Sequence, residues 1–160
     1  MIKKIILVAL CVINIMTITM FSTQNAKKST EVSESVTIKA VAVVTGQPET
    51  IIRKNIKQYD RYTRGLAHFF LFLTLGVLLY LTLQQFNLKK AFLYAIVICL
   101  VYAVFDEIYQ EIFSQGRAFQ FVDILKDWSG TTSGILATFA IKYMQKRELL
   151  REKQRKREHV

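Results

Sequence analysis

The chain has 160 residues, of which 52% are apolar and 21% charged, with 6 glycines and one proline. This excludes collagen-like, low-complexity and disordered chains and leaves room for one domain. The formal net charge of +10 points to anionic partners, either nucleic acid or lipid head groups. The apolar residues are bunched into long runs with few charges, which favours lipid.

The first run, Ile5 to Phe21, follows Lys3 and Lys4 and is seventeen residues long, roughly 25 Å as a helix. No small-x-small cleavage site follows it, so it reads as a first transmembrane helix (residues 1–21) rather than a removed signal. Residues 22–65 are expected to form a polar loop. Gly46-Gln47-Pro48 is a turn signal within it. In residues 51–64, Ile52, Ile56, Tyr59 and Thr63 recur at helical spacing among five basic residues, the pattern of a basic amphipathic helix in the head-group region. A solvated charged helix fits the same pattern.

Residues 66–144 read as a membrane core of three helices. The second run is Leu66 to Leu83, the third Ala91 to Phe105 and the fourth Trp128 to Met144. Residues 145–160 form a basic tail, and Lys142 to Val160 carries eight Lys or Arg residues. Cys11 and Cys99 lie in apolar runs without CxxC or zinc spacing and read as small buried hydrophobes. The expected fold is therefore all-α, an integral membrane bundle of about four transmembrane helices. Four spans put both termini on one side, and the dense tail favours the cytoplasm. The chain is then a multi-pass protein of the bacterial cytoplasmic (inner) membrane, with residues 22–65 outside and membrane lipids as its first partners. A nucleic-acid role has only the tail behind it and is not expected.

Fifteen residues from Ala91 to Phe105 reach only roughly 22 Å, so the third helix must continue through Asp106 and Glu107 towards Gln110. Charges at that depth cost a few kcal/mol each, so they are paired, hydrated or functional. The same topology puts His68, Arg117, Asp123 and Asp127 at the same face. Asp106 and Gln110 share a helix face, as do Asp123 and Asp127, and Arg117 beside Gly116 is able to bridge carboxylates in bidentate fashion. Gly130 and Gly134 form a small-xxx-small pair for close helix packing.

These residues leave three readings open: a hydrogen-bonded latch between helix ends, a recognition site for a polar envelope ligand, and a catalytic site. No catalytic motif is recognised: the chain lacks a Ser-centred elbow and a phosphate loop. A single histidine among these residues, without HxxxH or HExxH spacing, gives no metal motif, so neither metal nor cofactor is expected.

The stretch Asp106-Glu107-x-x-Gln110, then Gly116-Arg117, Asp123, Asp127, Gly130 and Gly134, resembles the VanZ-like family of teicoplanin-resistance-type bacterial membrane proteins. Phe21-Ser22-Thr23-Gln24 resembles that family's Phe-Ser-Ser-Gln, and Arg64, Ala67 and His68 resemble its Arg-Lys-x-Ala-His. The likeness covers about residues 12–142. Gly65 stands where the family usually has Lys, Phe70 and Leu71 follow His68 where an acidic residue is frequent, and Gln115 replaces a frequent Pro. The resemblance implies a multi-span membrane protein of the cell envelope, with some members lowering susceptibility to glycopeptide antibiotics such as teicoplanin. The expected ligand is a glycopeptide or a lipid-linked cell-wall precursor. The alternatives are a membrane enzyme acting on such a precursor and a structural or adaptor subunit.

Overall fold

The structure, a computed structural model, describes residues 1–23, 26–113 and 119–158. Among these the chain is an all-α bundle of six helices: α1 (Ile2–Ser22), α2 (Ala26–Thr45), α3 (Glu49–Lys54), α4 (Ile56–Gln85), α5 (Ala91–Phe113) and α6 (Phe121–Glu158). Three are long and apolar enough to cross a membrane: Ile2–Ser22, Arg61–Gln85 and Ala91–Phe113. The expected fourth segment, Trp128 to Met144, lies within α6 and is not among those three. Its first half is rich in Ser, Thr and Gly.

Each long helix turns one stripe inward. On α1 the stripe is Leu7, Cys11, Asn14, Ile18 and Ser22, at intervals of three and four. On α5 it is Ala91, Ala95, Cys99 and Ala103, a line of small side chains that ends in Asp106, Glu107 and Gln110. Large apolar residues face outward instead, among them Ile13, Met16, Val97, Val101, Phe105 and Leu136. Lipid makes such a surface stable, because hydrocarbon is as apolar as the side chains themselves. Phe72 is fully buried at the centre, with its ring 5.7 Å from that of Tyr102.

The closest helix pair is α4 and α6. A Cβ at Gly76 of α4 would collide with the Thr131 backbone of α6. In return, a Cβ at Gly130 or Gly134 of α6 would collide with the carbonyl oxygen of Phe69 or Leu73 on α4. The two backbones touch because glycine stands at three positions of the contact. Three hydroxyls of α6 bond to its own backbone: Ser129 donates to the Lys126 carbonyl, Thr131 to that of Trp128 and Thr138 to that of Gly134.

Two expectations are corrected. Much of the polar stretch after α1 is helical rather than a loop: α2 packs on α3 and α4 and buries Thr37 and Ile38. The basic segment 51–64 is not one separate helix either. It breaks at Asn55 (φ −111°, ψ 18°), and from Ile56 it runs unbroken into the second apolar run. At 30 residues α4 is roughly 45 Å long, enough to carry a basic turn beyond its apolar part. Gly46 ends α2 with φ +67°, a backbone conformation that a side chain would strain.

Candidate functional site

One end of the bundle collects polar side chains from four helices. α1 brings Ser22, α4 brings His68, α5 brings Asp106, Glu107 and Gln110, and α6 brings Asp127. α5 reaches Phe113, so Asp106 and Gln110 lie one turn apart on its inward face. The Ser22 hydroxyl donates to both Asp106 oxygens, at 2.8 and 2.9 Å, and the Gln110 amide donates to Asp106 Oδ2 at 2.7 Å. Ser22 and Asp106 are at most 1% exposed. This fastens the end of α1 to α5 through a buried carboxylate.

Facing Asp106 are His68 and Asp127. His68 Nδ1 lies 3.9 Å from Asp127 Oδ1, and one donor atom from each of His68, Asp106 and Asp127 lies within 4.8 Å of the others. Asp127 is 2% exposed. Its place follows from the glycine contact: Gly130, one turn on, holds α6 against the α4 backbone beside Phe69, next to His68. The His68 ring is stacked at 6.3 Å on Phe72. Beneath it, Tyr102 donates its hydroxyl to the Ile15 carbonyl and lies 3.3 Å from the Thr19 hydroxyl, a second tie from α1 to α5.

Glu107 is buried one position on and has a different task. Its Oε1 accepts the backbone N–H of Gln120 at 2.6 Å, which fixes the chain where it returns towards α6. Asp123 does not join the cluster: it accepts from Lys126 at 2.6 Å on a partly exposed face. Arg117 and the Gly116 turn lie outside the described residues. The sequence patterns do not mark Ser22, Gln120 or Gly76 as site or packing residues. The signal for Ser22 is its position in the Phe-Ser-x-Gln segment, and for Gly76 a glycine in the middle of an apolar run. The backbone N–H of Gln120 has no sequence signal at all.

A groove of about 660 Å³ opens between α4 and the start of α6, lined by Arg61, Tyr62, Gly65, Leu66, Phe69 and Lys126, with Gln58 at its edge. It places two cations beside apolar and aromatic side chains, next to the residues that carry His68 and Asp127. At the opposite end of the bundle Lys142 donates to Gln84, and Lys4 stands over the Phe86 ring at 5.2 Å.

These features define an all-α membrane protein whose buried polar cluster is assembled from the ends of its helices. The chain belongs to the VanZ/LLP1 family, which it matches over residues 6–142. No curated protein and no solved structure matches it.

Proposed function

We propose that this VanZ-family protein acts at the outer face of the bacterial cytoplasmic membrane, where its polar end recognises a lipid-anchored envelope ligand and lowers susceptibility to teicoplanin-type glycopeptides. The observation that carries the reading is the groove beside the buried cluster. Arg61 and Lys126 suit an anionic polar head, and Leu66 and Phe69 suit an acyl chain beside it. A buried group of His, Asp and Asp is costly to build in a membrane, which favours a functional role over a packing one.

The reading includes a fourth crossing by residues 128–144 of α6. That segment covers the same depth as the apolar part of α4, from the Gly130 contact with Phe69 to the Lys142 contact with Gln84. Lys4, Lys89, Lys90, Lys142 and the basic tail then share the cytoplasmic end, in keeping with the positive-inside rule.

The test is susceptibility of a sensitive Gram-positive host to teicoplanin and to vancomycin, which has no acyl chain. The host carries empty vector, the intact protein or Asp127→Asn at matched membrane abundance. Protection against teicoplanin above that against vancomycin, lost in Asp127→Asn, is expected. Equal protection against both drugs, or none, overturns the reading. Turnover of a lipid-linked precursor by the purified protein would favour the enzymatic alternative, with Asp106 or Glu107 as the acid/base.

A further inference from the structure

We propose that His68, Asp106 and Asp127 together bind a divalent transition-metal ion of the zinc class in the space where α4, α5 and α6 meet. The proposal concerns the same side chains as the function above but stands apart from it: metal is read on purified protein and susceptibility on cells, so either can fail alone.

Three observations carry it. First, the donor atoms are already gathered, one from each of three helices and all within 4.8 Å of one another. Around a small dication with bonds of about 2.0–2.2 Å, tetrahedral donors stand roughly 3.4 Å apart, so side-chain rotations of about an ångström close the set. Second, Asp127 is 2% exposed, and among the described residues no hydrogen bond reaches its carboxylate. Its close polar neighbour, His68 Nδ1, is 3.9 Å away, too far for one. A buried carboxylate without a donor is strongly disfavoured, and a cation held between Asp127 and Asp106 answers that need. Third, Asp106 is oriented from behind by Ser22 and Gln110, the kind of outer support that metal-binding carboxylates receive.

The chemistry selects the ion. One imidazole and two carboxylates form a mixed nitrogen and oxygen donor set suited to a dication. Calcium takes six to eight oxygen ligands, and magnesium keeps several waters, for which a site this buried is poorly suited. Zinc accepts mixed nitrogen and oxygen donors, and three protein ligands leave one position open towards a ligand or water.

The full chain, without a polyhistidine tag, is purified in detergent, stripped with a chelator, re-equilibrated with Zn²⁺ and assayed for bound zinc by elemental mass spectrometry. About one zinc per chain is expected. Asp127→Asn and His68→Gln should bind at least about tenfold more weakly, whereas Glu111→Gln, at an exposed position of α5, and His159→Gln, in the tail, should bind as the parent does. Since a variant at a buried position can fail to fold, the parent is also examined by zinc X-ray absorption. A shell of oxygen with one imidazole nitrogen and no sulfur is expected. Absence of zinc, equal binding by Asp127→Asn, loss on His159→Gln instead of His68→Gln, or a shell containing sulfur overturns the proposal.

Discussion

Ser22 and Asp106 are 84 positions apart, yet the hydroxyl reaches both carboxylate oxygens within 2.9 Å, with Gln110 closing the other side. Hydrogen bonds to charged groups contribute about 1.5–3 kcal/mol each, and a buried acceptor deprived of its donor loses at least as much. Ser22→Ala should therefore lower unfolding stability in mixed micelles by about 1.5–3 kcal/mol. A shift in the denaturant midpoint measures this, and an unshifted midpoint would mean that the other partners of Asp106 satisfy it without Ser22. The contrast between Asp127 and Asp123 also belongs to this scale. They are four apart and share a helix face, so sequence spacing treats them alike. Only Asp127 is drawn inward, because the glycine contact begins at Gly130; one turn earlier, Asp123 pairs with Lys126 at the surface.

Between elements, the α4–α6 contact is set by glycine on both sides. Gly134→Ala adds a methyl against a backbone carbonyl, which has no side-chain freedom with which to yield. Overpacking of this kind costs about 1–3 kcal/mol, so the folded yield and the denaturant midpoint should both fall. Gly65→Ala on the same helix pair is the control: the nearest atom to the added methyl is the flexible Lys126 Nζ at 3.9 Å. There alanine should be neutral or stabilising by about 0.5–1 kcal/mol, since it is the better helix former. The α2 helix teaches the converse. Its residues are polar and β-branched, and its apolar pattern is too weak to announce a helix. Packing on α3 and α4 supplies what local propensity lacks.

For the whole molecule, Lys4, Lys142 and the basic part of α6 lie at the end opposite the cluster, whereas Arg61 and Lys126 lie beside it, and the proposed topology, which puts the first group in the cytoplasm, has a direct test. Cysteines introduced one at a time are challenged with a membrane-impermeant maleimide in intact cells. Glu49→Cys, at the exposed start of α3, should react, and Glu152→Cys, in the basic part of α6, should react only after lysis. The reverse pattern would invert the protein and move the polar cluster to the cytoplasmic face. The native thiols should give little background, because Cys11 and Cys99 are both buried.

Hydropathy and charge are sums along a short stretch of chain, so the sequence alone determined the all-α membrane class and the three helices long and apolar enough to cross a membrane. It also required that the third helix extend through Asp106 and Glu107, since fifteen residues are too short to cross. The family motifs pointed to the same polar residues. The mutual rotation of the helices was decided only in the tertiary structure. That rotation depends on where small residues let two backbones meet, and it put Ser22 on Asp106, brought Asp127 towards His68 and left Asp123 outside. The expected fourth span, Trp128 to Met144, is not among the three helices long and apolar enough to cross a membrane; it lies in α6, which meets α4 through glycine and threonine. No local sum along the chain registers a contact between residues 22 and 106.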